Sequence, residues 1–389
     1  MSAVWDLVVI GAGPAGSGAA LGALDADPAL SVLVLDRADF PRDKACGDGI
    51  APQALDVLAD VGVTGLLDGW EPVRQLQLTR GNRTVERTMS RPAFVVPRTV
   101  FDARLVERAT AAGAVLTRHR VRVLGRDEKY VLLDGRIRAK VVVGADGAQS
   151  MVRRTLGLPQ ARHTAIAIRG YAPVPPRRRG QQSMAFGRHH QPSYAWSFDR
   201  GDGLANVGYG ELLRSNRPAP TRQWLLDQLA ELLPCSTTSG TDWRGHHLPL
   251  SSWTWQQPDG RCLLAGDAAN LVNPMTGEGI YYALATGVLA GRAAAQAIED
   301  GSGTGAGARH RRAVRSLLAS HLRHTALASR LVAQPAVLGV GLRAAARDQQ
   351  VFDDLVELGL GRGRITPRLL GGLAAGLPRT PPHAARSGG

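Results

Sequence analysis

Asp6-Leu7-Val8-Val9-Ile10-Gly11-Ala12-Gly13-Pro14-Ala15-Gly16 is the stretch that decides the fold. The apolar run up to Ile10 reads as a buried parallel strand. Gly11 allows a tight turn, and Gly13 lets backbone approach a pair of phosphates. Gly16 lets the following helix, about Pro14 to Ala26, pack close to the strand. The N-terminus of that helix turns its dipole and free N–H groups toward an anion. A second strand, Ser31 to Leu35, ends in Asp36. An acid there, about 20 residues beyond the glycines, accepts ribose hydroxyls.

Two further glycine turns follow at strand ends. One is Val143-Gly144-Ala145-Asp146-Gly147. The other is Leu264-Ala265-Gly266-Asp267-Ala268-Ala269, continued by Asn273-Pro274-Met275-Thr276-Gly277-Glu278-Gly279. Each alone is a weak signal. Three in this order point to one bound dinucleotide, a flavin.

Composition sets bounds. A chain of 389 residues suggests two or three structural units and a large core. The first strand starts directly after Trp5, so no signal peptide is expected. No long apolar run free of charge and glycine suggests a membrane span. Cys46, Cys235 and Cys262 form neither a disulfide framework nor a metal pattern, so no metal and a cytoplasmic location are expected. The formal net charge is +14.

That charge is concentrated after Gly301, where thirteen arginines face four acids. The tail opens on Gly301-Ser302-Gly303-Thr304-Gly305 and runs into Arg309, Arg311, Arg312 and Arg315. Leu317, Leu318, Leu322, Leu327, Leu331 and Val332 read as one helical stripe beside them. Three readings compete. The first is a solvated basic face on a helix that packs on the body. The second is attachment to an anionic membrane surface, at its inner face. The third, contact with nucleic acid, has no recognition motif behind it, and no nucleic-acid partner is expected.

The middle of the chain alternates. Leu76-Gln77-Leu78-Thr79 and the turn Arg80-Gly81-Asn82 read as antiparallel strands, as does much of Ala165 to Leu250. A helix is expected at Val100 to Gly113, with strands again over Val115 to Arg138. The resulting division is a discontinuous flavin domain (1–72, 98–160 and 255–300), a substrate domain (73–97 and 161–254) and a basic helical C-terminal region (301–389).

The run Asp36-Arg37-Ala38-Asp39-Phe40-Pro41-Arg42-Asp43-Lys44-Ala45-Cys46-Gly47-Asp48-Gly49 resembles the signature of the geranylgeranyl reductase family. That family belongs to the para-hydroxybenzoate hydroxylase type of glutathione-reductase-like flavoprotein. The third glycine turn, through Ile280, is similar to the family's version. Tyr194-Ala195-Trp196-Ser197-Phe198 resembles its Y-x-W-x-F-P element, with Asp199 where proline stands in the family. This departure falls at the substrate pocket and not at the cofactor. The resemblance covers residues 4 to about 300.

The resemblance implies an α/β fold: an FAD-binding Rossmann domain, an inserted antiparallel β-sheet domain for substrate, and a helical C-terminal region. It implies FAD as cofactor. Gly11, Gly13, Ala15 and Gly16 would face the pyrophosphate, and Asp36 and Arg37 would lie at the adenosine. Val121 would lie on a strand passing along the adenine. Arg98 would reach the ribityl-phosphate side, Asp146 would belong to the second turn, and Asp267 would accept ribityl hydroxyls. Ala45, Cys46 and Gly47 would pass the isoalloxazine. Gly277, Gly279 and Ile280 would face its N1–O2 edge, where a helix N-terminus favours the anionic reduced flavin.

The activity implied is saturation of C=C bonds in a prenyl chain on a lipid, quinone or specialised metabolite. Tyr194, Trp196 and Phe198 share one side of a strand, as a tunnel wall or as plain sheet core. Cys46 is either an acid that protonates a substrate carbon or a small residue whose backbone alone matters. NAD(P)H, ferredoxin or reduced flavin remain open as electron donor, since no second dinucleotide motif is visible. Oligomeric state is not legible. Aromatic hydroxylases and halogenases share the fold. The chain lacks the halogenase W-x-W-x-I-P run; Trp253-Thr254-Trp255-Gln256 does not continue into it. A redox scaffold without turnover is the non-enzyme alternative.

Overall fold

The computed structural model describes residues 4–187, 192–252, 256–301 and 303–377. Residues 253–255, which carry the tryptophan pair quoted against the halogenase reading, lie outside the described residues. So do Ser302 of the glycine linker and the end of the tail, 378–389.

The chain opens with β1 (Val4–Ile10), α1 (Pro14–Ala26), β2 (Val32–Asp36), β3 (Gly49–Ile50) and α2 (Pro52–Ala59). The hairpin β4 (Val73–Arg80) and β5 (Arg83–Val95) follows, then α3 (Arg98–Ala111). Next come β6 (Val115–Arg118), β7 (Leu124–Arg126), β8 (Val131–Leu133), β9 (Ile137–Gly144) and the short α4 (Met151–Thr155). The second half holds β10 (His163–Pro173), β11 (Gln181–Phe186), β12 (Ser193–Asp199) and β13 (Leu204–Leu212). It continues with α5 (Arg222–Leu232), β14 (Thr241–Leu250), β15 (Cys262–Leu264) and α6 (Ile280–Glu299). Four helices end it: α7 (Ala306–Val332), α8 (Pro335–Arg347), α9 (Gln349–Leu360) and α10 (Pro367–Ala375).

The first sheet runs β6-β2-β1-β9-β8-β7, with β15 also on β9. β6, β2, β1, β9 and β15 are mutually parallel. Their apolar runs, such as Leu7 to Ile10 and Val141 to Val143, are buried on both faces, as parallel strands require. On one face, α1 and α6 cross almost backbone to backbone. A Cβ on Gly287 would stand 2.2 Å from the Ala15 carbonyl oxygen, one on Gly291 2.0 Å from that of Ala19, and one on Gly22 2.4 Å from that of Val288. Glycines at these crossing points bring the N-termini of both helices to one crevice.

The second sheet runs β14-β10-β13-β12-β11-β4-β5-β3. It is antiparallel except at one place. β11 pairs with β4 in parallel, from Gln181 opposite Gln75 to Ala185 opposite Thr79. This differs from the all-antiparallel expectation. The two strands come from separate stretches of chain, so no hairpin dictates their direction.

Three further expectations change. The helix predicted at Val100 begins at Arg98, directly after Pro97, and ends at Ala111. Val121 is not on a strand but in the connection between β6 and β7. The Arg122 and Val123 amides there donate to the Asp134 carboxylate, at 2.9 and 2.8 Å, instead of to a neighbouring strand. The leucines of α7 do not form one stripe: Leu318 and Leu322 are buried, whereas Leu327 and Leu331 are exposed. At about 3.6 residues per turn the second pair falls on the opposite face.

The buried face of α7 joins the main core through Ala306, Val314, Leu318 and Leu322. Beyond it, Leu342, Ala345 and Phe352 pack on Leu76, Val85 and Met89 of the second sheet. The C-terminal helices thus close over the space between the two sheets. Among the described residues no single helix is long and apolar enough to cross a membrane; α7 and α8 reach that composition only together, across a 112° bend.

Candidate active site

The dinucleotide end is built at the C-terminal edge of the first sheet. Gly11 sits at φ +100°, and a Cβ on Gly16 would lie 1.7 Å from the Gly11 carbonyl oxygen. Ala15 is buried just inside α1, whose N-terminus carries no side-chain cap. Asp36 is buried and accepts the Ala12 amide at 2.9 Å and the Ala38 amide at 3.0 Å. Arg37 is exposed. Arg42, not singled out from sequence, turns inward instead, 3.7 Å from Asp36 and 3.4 Å from Asp102. Arg98 is buried and makes two bonds to Asp102, at 2.6 and 2.7 Å. Both guanidinium groups stand over Gly13, where a Cβ would meet Arg42 Nη2 at 3.2 Å and Arg98 Nη2 at 3.9 Å. Two cations above an uncapped helix N-terminus suit a pyrophosphate. Val121 is buried. Asp146 has a local duty: its Oδ2 accepts the Met151 and Val152 amides at 2.6 and 3.2 Å and caps α4.

The third turn brings Asp267 to Lys44, at 3.0 Å, and to His246 of β14, at 3.8 Å. Burial would raise the Asp267 carboxyl, but Lys44 and His246 outweigh it and hold it well below the usual carboxylate range. Asn273, fully buried, donates to the Leu358 and Gly359 carbonyls at 3.0 Å each, tying the loop to α9. Gly277, at φ +72°, passes between Leu248 and the Tyr194 hydroxyl. Gly279 precedes α6 without capping it, and Ile280 opens the helix. Glu278 bends back so that its Oε1 accepts the Tyr281 amide at 2.9 Å.

Between these turns runs the Lys44-to-Gly49 segment. Asn206 of β13 fixes it, donating at 2.8 Å both to the Cys46 carbonyl and to Asp48 Oδ2. The Asn206 side-chain oxygen accepts the Trp196 indole N–H at 2.8 Å. Asp48 also accepts the Tyr171 hydroxyl at 2.6 Å, and its Oδ1 has no partner. Burial pushes the Asp48 carboxyl up to about 6, against the lowering effect of Tyr171, Arg169 and Asn206. Burial also pushes the Cys46 thiol above its ordinary 9.0, with Arg98 opposing, so the sulfur keeps its proton at neutral pH.

Tyr194, Trp196 and Phe198 do share one side of β12, with ring centroids 5.9 and 6.4 Å apart in sequence. They line a cavity of about 380 Å³ that reaches Ala45, Cys46, Gly47, Arg98, Asp267, Gly277, Glu278, Gly279 and Ile280. Its far wall comes from the C-terminal helices, including Leu331, Leu338, Leu342, Phe352, Leu358 and Leu369. Sequence reading assigned those helices no part in the site; the signal was there as the leucine and valine density of 331–373. Residues from the first and third glycine turns thus flank one crevice, with Arg42 and Arg98 at one end, the ionised Asp267 in the middle and small backbone beside the cavity, while the second turn packs against Gly11. These residues fit a flavin dinucleotide.

A family profile described as FAD binding domain matches residues 5–326. A menaquinone reductase of Mycolicibacterium smegmatis is 36% identical over 316 residues, covering 73% of this chain and 75% of that protein. Digeranylgeranylglycerophospholipid reductase 1 of Methanopyrus kandleri is 34% identical over 324 residues, covering 76% and 82%. Among solved structures, a geranylgeranyl bacteriochlorophyll reductase-like protein of Thermoplasma acidophilum superposes with a TM-score of 0.75 at 20% identity, covering 95% of this chain and 96% of that one.

Proposed function

The chain belongs to the geranylgeranyl reductase family of FAD-dependent oxidoreductases, and from that premise we propose that it saturates C=C bonds of a polyprenyl chain carried by a quinone or a lipid. The observation that carries this reading is the cavity. It begins at the Cys46 segment and the α6 N-terminus, and it continues as a leucine-lined passage under the C-terminal helices. Two relatives are named for a quinone and a glycerophospholipid; a prenyl chain is what those substrates share. When bound and reduced, the flavin supplies the hydride.

The protein's own residues then align and enclose. Arg42, Arg98 and the α1 N-terminus hold the pyrophosphate. Asp267, kept ionised by Lys44, accepts ribityl hydroxyls. Trp196, fixed through Asn206 to the Cys46 backbone, presses one side of the prenyl chain toward the reacting edge. Holding a double bond in one pose converts binding into rate, and the leucine walls exclude water.

The reading extends to place. Leu331 and Leu370 line the cavity and are also 45% and 57% exposed, so the passage opens between α7 and α10. Leu327, on the arginine-rich α7, and Leu377, just beyond α10, add exposed apolar surface. A mouth of this composition suits the cytoplasmic face of an anionic bilayer, from which a prenyl tail can slide into the passage. Mass spectrometry of prenyl lipids and quinones from the host, with and without the gene, tests the function. The expected change is loss of species heavier by two hydrogens per saturated bond. Unchanged saturation across all prenyl compounds would remove the reading.

A further inference from the structure

Two acids stand at the inner end of the cavity, and their surroundings drive them apart. Asp267 is neutralised by Lys44. Glu278, five residues from the start of the Asn273 loop, receives only backbone donors, the Ile280 and Tyr281 amides. Its backbone is pinned on both sides: its amide donates to Thr276 Oγ1 at 3.3 Å, and its carbonyl accepts the Asn273 amide at 2.8 Å. Glu278 lines the apolar cavity together with Cys46 and Tyr194, and burial, then a charged Glu278, push the Tyr194 hydroxyl upward.

We propose that Glu278 is the acid that protonates the prenyl double bond, a role that rests on the reductase reading above. The π bond breaks; one carbon takes the hydride that the reduced flavin supplies, and its neighbour takes the Glu278 proton. Two C–H bonds form, and the carboxylate left behind regains a proton from water once the product leaves.

The electrostatics support this assignment. Burial pushes Glu278 up to about 7, and the ionised Asp267 adds to the rise; the two amides and Arg98 pull the other way. The remaining titratable groups around it are Lys44 and His246 behind Asp267, Cys46 and Tyr194 across the cavity, and Tyr281 and Tyr282 on α6. Cys46 and the three tyrosines keep their protons near that pH, Asp267 stays ionised, and Lys44 and His246 lie behind it. A pair of carboxyls pushed apart in this way marks an acid and a spectator. A carboxyl poised near neutral also yields its proton far more readily than the Cys46 thiol, which burial holds above 9.0.

The test uses the FAD-loaded full chain, wild type against Glu278→Gln, Cys46→Ser and Asp48→Asn. Reduced enzyme is mixed anaerobically with menaquinone of unsaturated tail in detergent micelles, and flavin reoxidation is followed across pH. Wild type should slow as pH rises through about 7, because the carboxyl then lacks the proton it must give. Glu278→Gln should be slower by roughly a hundredfold, with a flat profile, while Cys46→Ser keeps the bend. FAD content and the spectrum of the reduced flavin should not change in Glu278→Gln; a change in either would make Glu278 a cofactor-positioning residue and overturn the proposal. In parallel, pH-difference infrared spectra without substrate should show a protonated carboxyl that titrates near 7 and vanishes in Glu278→Gln but not in Asp48→Asn. Persistence of that band, or of the kinetic bend, in Glu278→Gln also overturns it. If wild type reduces no prenyl compound, proton delivery falls together with the reductase reading, and an intact infrared titration identifies the substrate assignment as the point of failure.

Discussion

Asp267 shows what a single residue contributes once its neighbours are in place. Lys44 and His246, both distant in sequence, keep its carboxylate charged in a nearly closed site, where it can accept two hydroxyls. Asp267→Ala should cost about 1–3 kcal/mol of FAD affinity, roughly a five- to 150-fold rise in Kd. Quenching of flavin fluorescence on titration measures it. Unchanged affinity would mean that the third turn does not hold the ribityl chain. The acid itself was legible, since Gly266-Asp267 follows an apolar strand in a recognisable motif. Arg42, His246 and Asn206 were not. The roles of Asn206 and His246 arise from β13 and β14 lying beside the Lys44-to-Gly49 segment and the third turn, and that of Arg42 from its approach to Asp36 and Asp102; no local pattern carries those placements. Asp48 was quoted only as part of a run; its lone oxygen appears when Tyr171 and Asn206 both choose the other one.

At the scale of elements, the α1–α6 crossing sets the site. Its glycines let two helix N-termini converge, those of α1 and α6. Gly287→Ala would place a methyl group 2.2 Å from the Ala15 carbonyl oxygen. The helices must then separate, which costs about 1–3 kcal/mol in a close-packed core. We expect a lower Tm and weaker FAD retention together. Thermal unfolding with and without added FAD checks this; a variant with wild-type Tm would show that the crossing is looser than described. The first βαβ unit was readable because strand, turn, helix and acid follow one another locally. The spacing of Gly287 and Gly291 says little until Ala15 and Ala19 are known to lie opposite. α7 misled for a related reason. Leucines occupy two of its faces, one for the core and one for the surface, and a composition-based stripe merges them.

Over the whole molecule, the C-terminal helices decide how the cavity is reached. Cutting the chain near Asp300 would remove Val314, Leu318 and Leu322 from the main core, so membrane attachment is better tested by point changes at the mouth. Leu331→Gln with Leu370→Gln should weaken sedimentation with anionic vesicles and leave FAD content intact. Binding should also fade with salt, as the screening length shrinks from about 10 Å at 0.1 M to about 3 Å at 1 M. Equal binding to neutral vesicles, or no effect of the two changes, would remove the membrane from the account.

The central claim, a flavoenzyme that reduces prenyl chains, is tested most directly by product mass. Enzyme reduced under strictly anaerobic conditions is mixed with menaquinone of unsaturated tail, and the product is weighed by mass spectrometry; a parallel sample receives labelled O₂ and halide. The account predicts a product heavier by two hydrogens with no oxygen or halogen incorporated. Incorporation of labelled oxygen, or of halide, with the double bonds left intact would contradict it and place this fold among the hydroxylases or halogenases instead.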